Sequence, residues 1–465
     1  MESSELQQFF YMCDPNRTLN LGDAGDRRYY IDFSPVRGSK SIESLKRTIA
    51  RLSPHRPTCQ LFTGHIGCGK STELSLLQTE LEKEGFFVIY FASTQDLDPA
   101  DVDVTDILLA IARQVSESLE ESRIALPMRG LRGFVKNVLD FLHTPLDVRW
   151  EGELLGGKVS ASTDGGLEIS LPVGIGKITA MTKNSQQQRS RLRNHLEAQT
   201  NGILDLINEE VIDAAIAVLK KQGKKGLVVI IDNLDRIQDR KIRTSGRLLP
   251  EYIFVDRGEQ LRKLKCHLVY TIPLSLIFSN ECEAMKNRLG GGIDPKVLPM
   301  VPIMDRYGME LAEGMKLLKQ MVMTRAFPDR QAEERLQLIG EVFEVEETLD
   351  RLCRVSGGHV RNLMGMLYMC LQEEDPPISR PVLEGVIRRS RDRLAGAVDD
   401  EEWKILLKVV REQRVKGEAE YQLLLRSLFV FEYQDKEGNW FGINPLLAET
   451  EKYKKLMMVS RSAWD

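Results

Sequence analysis

Histidine is scarce in this chain of 465 residues: there are six, and none stands at H-E-x-x-H or comparable spacing, which argues against a metal-hydrolase site. The seven cysteines (Cys13, Cys59, Cys68, Cys266, Cys282, Cys353 and Cys370) are scattered. None forms a C-x-x-C pair or a Cys/His cluster, so they read as reduced thiols of a cytoplasmic protein rather than as zinc ligands or a disulfide frame. No uninterrupted apolar run approaches the roughly 20 residues of a membrane span. The start, Met1-Glu2-Ser3-Ser4-Glu5, lacks the basic and apolar regions of a signal peptide, so no membrane partner is expected. Neither sign of charge dominates: 64 basic residues face 68 acidic ones, a net charge of −4. Any nucleic-acid contact would therefore have to come from a local patch. Repeats, low-complexity tracts and nuclease, protease or deaminase signatures are all missing. What remains is 42% hydrophobic residues, ample for buried cores, in a chain long enough for about two to four domains.

The strongest positive signal is Gly64-His65-Ile66-Gly67-Cys68-Gly69-Lys70-Ser71, which reads G-x-x-x-x-G-K-S, the phosphate-binding loop of P-loop nucleotidases. Each residue type has a reason. The glycines let successive backbone N–H groups turn inward around a β-phosphate, Lys70 reaches the β- and γ-phosphates, and the Ser71 hydroxyl ligates Mg²⁺. Upstream, Cys59 to Thr63 is a short strand-like run. Downstream, from Ser71 and Thr72 to Lys83, Leu74, Leu77 and Leu81 fall at helical spacing, so a helix N-terminus points at the phosphates. The side chains of His65 and Cys68 occupy variable positions of the loop and are assigned no chemistry of their own.

Along the chain, Tyr29 to Phe33 predicts a short strand, and Ser41 to Leu52 a helix with Ile42, Leu45 and Ile49 on one face. Phe86 to Ala92 suits a buried parallel strand, followed by a helix over Val104 to Leu119. Residues 126–190 break the alternation. There, Val148 to Glu153 and Gly166 to Leu171 flank Gly-rich turns and suggest a β-hairpin insert. Arg191 to Lys220 reads as mostly helix. Leu227-Val228-Val229-Ile230-Ile231-Asp232 is a buried strand ending in aspartate, placed to hold Mg²⁺ through water. His267 to Ile272 is a further strand carrying Thr271 near its end. A helix over Ser275 to Leu289 contains Arg288, and Lys296 to Ile303 resumes an extended run. From Tyr307 the chain is helical almost to Leu394. Helices at Trp403 to Val410 and Tyr421 to Ser427 precede a hairpin, Phe429 to Tyr433 and Trp440 to Asn444.

This order of elements resembles the AAA+ ATPases and the neighbouring STAND nucleotidases, from about Tyr30 to Arg393. The resemblance implies an α/β P-loop NTPase with a mostly parallel central sheet, a helical lid and a small C-terminal winged-helix-like domain. The division it implies is an N-terminal extension at 1–28, an ATPase core at 29–304, a lid at 305–396 and the winged-helix-like part at 397–465. It also implies ATP and Mg²⁺ as cofactors, with ATP hydrolysis as the activity. Thr271 resembles the sensor that positions water. Arg288 sits where the family places an arginine finger that reaches a neighbouring subunit. Arg361, in Ser356-Gly357-Gly358-His359-Val360-Arg361-Asn362, resembles the second sensor of the lid helix. Pro35-Val36-Arg37-Gly38 resembles the N-terminal box whose backbone contacts the base.

One departure matters. The glutamate that usually follows the Mg²⁺ aspartate is Asn233 here, which orients water but cannot take its proton. Asp-Asn-Leu-Asp-Arg resembles the D-x-x-D-R ending of KAP-type and STAND nucleotidases, which makes Asp235 the substitute acid and predicts slow hydrolysis. The first reading is therefore an ATP-gated switch that oligomerises with itself, by analogy in signalling or prokaryotic antiviral defence with a separate effector partner. The alternative is a DNA-associated ATPase of the initiator or transposition-regulator kind. Tyr421 to Arg426 is poor in basic residues for a recognition helix, and Arg388 to Arg393 is the best basic cluster. No N/T-K-x-D motif for guanine is found.

Overall fold

The computed structural model describes residues 2–126, 128–143, 170–183, 185–242 and 245–462. Strands β1 (Cys59–Thr63), β2 (Phe87–Ala92), β3 (Leu227–Asp232), β4 (His267–Thr271) and β5 (Lys296–Val297) form a five-stranded sheet in the order β2-β3-β4-β1-β5. β2 runs parallel to β3 with Phe87 opposite Leu227 and Ala92 opposite Asp232, and β5 runs parallel to β1. A parallel strand covered on both faces needs a continuous apolar run. Leu227 to Ile231 supply one and are all buried. The α/β class and the parallel sheet are thus as expected.

The chain divides into two compact units, one of Met1–Leu52, Gln60–Glu84 and Tyr270–Asp465, the other of Ser53–Cys59 and Gly85–Val269. In the first, helix α1 (Lys70–Lys83) follows the phosphate loop and buries Leu74, Leu77 and Leu81, as their spacing predicts. Helices α2 (Glu346–Ser356) and α3 (Val360–Glu373) join those over Ala312–Ala326 and Arg380–Ala395 around Leu318, Phe343, Leu352, Leu363 and Leu383. Phe9, from the helix Ser3–Met12, is buried in the same cluster. The last part packs α4 (Asp400–Glu412), α5 (Ala419–Arg426) and the hairpin of β6 (Val430–Asp435) and β7 (Gly438–Ile443) around Trp403, Leu406, Leu424 and Phe441.

The second unit contains the helix Val104–Glu121, which is capped by Asp103 and buries Ile107, Leu108, Ile111 and Val115. Beside it lie the helices Arg129–His143, Leu171–Lys183 and Gln186–Glu197. Salt bridges from Arg189 to Asp98 (2.9 Å) and from Arg193 and Arg240 to Asp101 (2.8 and 2.6 Å) bind this unit internally.

Several local expectations are corrected. Tyr29 to Phe33 is not a strand: its N–H groups enter turns, with Tyr29 donating to the Asp26 carbonyl and Tyr30 to that of Arg27. Tyr29 is buried with Met12, Leu19 and Leu21 instead. The run from Lys296 to Ile303 keeps only two residues of strand, because Pro299 and Pro302 lack the N–H a ladder requires. The helix expected over Ser275 to Leu289 is two, Leu274–Ile277 and Cys282–Arg288. They are separated where the Ser279 hydroxyl donates to the Leu276 carbonyl and accepts from the Glu281 N–H. The C-terminal hairpin turns more tightly than expected, with Gln434 opposite Asn439 and Asp435 opposite Gly438. Two residues remain for the loop, and the Asp435 side chain accepts from the Glu437 N–H. The insert hairpin, expected between 148 and 171, falls on 148–169, outside the described residues. Its described end, Leu171, begins a helix.

Two positions in the first unit are held under strict constraint. Gly358 has φ +75°, and a Cβ there would lie 1.7 Å from the Val301 carbonyl oxygen. Glu432, in β6, is fully buried, and neither carboxyl oxygen has a hydrogen-bond partner among the described residues. Burial pushes its carboxyl up to about 8. The folded chain then holds that proton more tightly than the unfolded chain, so stability declines as the pH rises from about 4.5 through 8. Glu432→Gln removes the ionisation. In thermal unfolding it should match the parent near pH 5 and gain on the order of 2 kcal/mol by pH 8, whereas a pH-independent difference would contradict the assignment. Gly358→Ala should lower the unfolding free energy by about 3 kcal/mol or more, read from denaturant curves at neutral pH.

Candidate functional site

The phosphate loop in the first unit bends through Gly67 (φ +89°) and Gly69 (φ +105°) into α1. Lys70 is 6% exposed, and its ammonium donates to the carbonyls of Gly64 (2.8 Å) and His65 (2.9 Å), so the charge sits inside the loop. Ser71 and Thr72 occupy the first turn of α1, half-buried.

Three elements hold the outside of this loop. The His359 Nε2–H donates to the Ile66 carbonyl (2.8 Å), and the Arg361 N–H donates to that of Gly67 (3.1 Å). The Arg37 Nη2 donates to the Cys68 carbonyl (2.8 Å), and the Cys68 thiol donates to the Leu298 carbonyl (3.6 Å). His359 is also the N-cap of α3, its Nδ1 accepting from the Asn362 N–H (3.0 Å). That pair of contacts defines a neutral imidazole, and burial holds its pKa down to about 4. From the hairpin, the Glu432 N–H donates to the His65 Nε2 (2.9 Å). The Phe431 ring stacks on His359 (centroids 5.6 Å) and meets His65 edge-on (5.9 Å). Burial, together with the nearby His359 and Lys70, keeps His65 uncharged, its pKa well below the usual range. Gly67 must be glycine: a Cβ would stand 2.8 Å from both the Arg361 Cβ and the His359 Cε1.

Asp232 ends β3 in the second unit. Its Oδ2 accepts from the Tyr90 hydroxyl (2.9 Å) and its Oδ1 from the Asn233 N–H (2.7 Å). Asn233 has φ +64°, a left-handed conformation that asparagine tolerates far better than glutamate. The backbone itself therefore favours asparagine after Asp232. Asp235 follows in the turn Leu234–Arg236 and is buried.

The remaining sequence candidates belong to the first unit. Thr271 is fully buried at the end of β4. Arg288 is the last residue of its helix and is exposed. Arg361 lies at the start of α3, its Nε donating to the Pro15 carbonyl (3.2 Å). Within the first unit the structure gathers Arg37, the loop and Arg361, and within the second it holds Asp232 and Asp235 three residues apart. Sequence reasoning passed over His359, Phe431, Glu432 and Tyr90. Glu432 alone left a trace, as the one acid in Phe429-Val430-Phe431-Glu432-Tyr433. The side chain of His65, assigned no role, is a structural brace.

Residues 39–249 match the model of the KAP family P-loop domain. No curated protein matches the chain. Among solved structures, the Aeropyrum pernix ORC1 protein in complex with DNA is 12% identical with a TM-score of 0.34, covering 89% of this chain and 94% of its own. The Aeropyrum pernix ORC2 protein is 12% identical with a TM-score of 0.37, covering 90% of this chain and 94% of its own. The Thermotoga maritima RuvB Holliday junction branch migration motor is 12% identical with a TM-score of 0.34, covering 95% of this chain and 99% of its own. The G-x-x-x-x-G-K-S loop opening a helix and the apolar parallel strand ending in aspartate give the chain the α/β fold of P-loop NTPases, and its residues 39–249 resemble the P-loop domain of the KAP family.

Proposed function

We propose that this chain is a Mg-ATP-binding switch that hydrolyses ATP slowly and self-associates while ATP is bound. The observation that carries the reading is the clasp on the phosphate loop. Consecutive loop carbonyls are bonded to the N-terminal box and to the start of α3, and the His65 side chain is bonded to the hairpin. A phosphate that draws Lys70 away from the Gly64 and His65 carbonyls alters a loop that three other elements grip.

The residues fit such a ligand. The loop already encloses one cation, and it opens a helix whose first-turn N–H groups favour an anion. Lys70 would meet the β- and γ-phosphates, while the Ser71 hydroxyl and the Asp232 carboxylate each offer oxygen to Mg²⁺. Bound Mg²⁺ would neutralise charge developing on the phosphates. Asp235 would serve where Asn233 cannot, Thr271 would orient water, and Arg361 would follow the nucleotide from the lid. Arg288 is exposed at a helix end, as a group acting on a neighbouring copy must be. We further read 1–28 as an extension, 29–304 as the ATPase core, 305–396 as the lid and 397–465 as a winged-helix-like module. This module would pass the nucleotide state to an effector partner in cytoplasmic signalling or defence.

Steady-state ATP turnover should fall below about 0.1 per second, under the usual enzyme range, and drop further in Asp235→Ala. Light scattering should show a larger mass with ATP and Mg²⁺ than without, and Arg288→Ala should abolish the change. Fast turnover indifferent to Asp235→Ala would overturn slow hydrolysis. A mass that never responds to ATP would overturn the switch.

A further inference from the structure

We propose that the side chains of Arg37 and Glu73 read the base of the bound nucleotide. The Glu73 carboxylate accepts the exocyclic amino group of adenine, and Arg37 donates to an adjacent ring nitrogen. This deepens the ATP reading above and rests on it.

Beside the phosphate loop, within the first unit, lies a cavity of about 370 Å³ lined by Tyr30, Asp32, Arg37, Glu73, Leu76 and Leu298, among others. Its size is in the range of small-ligand sites. Two of its walls are fixed to the loop. Arg37 donates through Nη2 to the Cys68 carbonyl, and that same nitrogen lies 3.8 Å from where a Cβ of Gly69 would stand. Glu73 is two residues beyond Ser71, in the first turn of α1. A nucleotide whose phosphates occupy the loop is therefore tethered next to this cavity.

Arg37 is the unusual group. It is 2% exposed and stacks over the Phe33 ring at 5.4 Å, yet its Nε and Nη1 are buried with no hydrogen-bond partner among the described residues. Buried guanidinium donors left unmatched are costly, and an acceptor brought by a ligand would relieve that cost. Glu73 supplies the opposite character. Burial holds its carboxyl above the usual range, and its Oε2 accepts from the Tyr30 hydroxyl at a long 3.4 Å. Leu76 and Leu298 provide apolar surface for a flat ring. Acceptor and donor side by side over such a surface match adenine, whose amino group stands between ring nitrogens that accept. A backbone-only contact from the N-terminal box would leave the buried Arg37 Nε and Nη1 without an acceptor.

The test uses the full chain with Mg²⁺ and compares binding of ATP, inosine triphosphate and inorganic tripolyphosphate by calorimetry. Inosine carries an oxygen where adenosine carries the amino group, so ATP should bind at least about tenfold tighter. In Glu73→Leu that ratio should shrink to within about threefold, with tripolyphosphate affinity unchanged. Arg37→Met, which also removes the donor to the Cys68 carbonyl, should weaken ATP about tenfold more than it weakens tripolyphosphate. Equal binding of ATP and inosine triphosphate by the parent would overturn the proposal without any variant. So would a ratio that survives Glu73→Leu. An Arg37→Met chain that loses tripolyphosphate as much as ATP would make Arg37 only a brace for the loop. A parent that binds none of the three ligands would instead overturn the phosphate-loop reading, and the base reading with it.

Discussion

A loop that turns its N–H groups inward around a phosphate must turn carbonyls outward, and here the outside is protein. The carbonyls of Ile66, Gly67 and Cys68 consequently need donors, which they find in His359, the Arg361 backbone and Arg37. Much of the first unit is arranged around that requirement. His359 reaches the loop because it caps α3, and Arg361 follows two residues later on the same first turn. Gly67 lies so close to both that only a residue without a Cβ fits. The hairpin is drawn into the same arrangement through His65 and the ring of Phe431.

Charge is controlled as tightly as shape. His65 in the loop and His359 against it are kept neutral, burial being the main cause in each, so neither imidazole adds a positive charge beside Lys70. Neutral imidazoles are what the hydrogen bonds demand: one nitrogen of His359 donates to Ile66 while the other accepts from Asn362. The buried Glu432 follows the same rule from the acid side, favouring its protonated form. In the second unit Asp232 is differently supported, by the Tyr90 hydroxyl and by the backbone of Asn233. The left-handed turn at Asn233 gives a conformational reason for an asparagine after Asp232.

Local pattern carried much of the fold. The loop, its helix, the apolar strand ending at Asp232 and the C-terminal hairpin were all legible, because each is written over a short window in glycine placement or periodicity. The misreadings were also local. Tyr29 to Phe33 has strand composition but enters turns, and the extended run after Val297 is stopped by the missing N–H groups of two prolines. His65 looked like an idle loop position. Its contact is with a residue 367 positions away, and no spacing rule reaches that far.

The sequence by itself determined the glycine-rich loop from Gly64 to Ser71 and the aspartate that ends the apolar strand Leu227–Asp232, since both depend on residue type at fixed spacing. Only the tertiary structure decided what surrounds the loop: His359 and Arg37 on its carbonyls, Phe431 between two histidines, Tyr90 on Asp232. Those partners are chosen by the geometry of unsatisfied backbone groups. A carbonyl's need for a donor becomes visible only once the chain has folded and water has been replaced by protein.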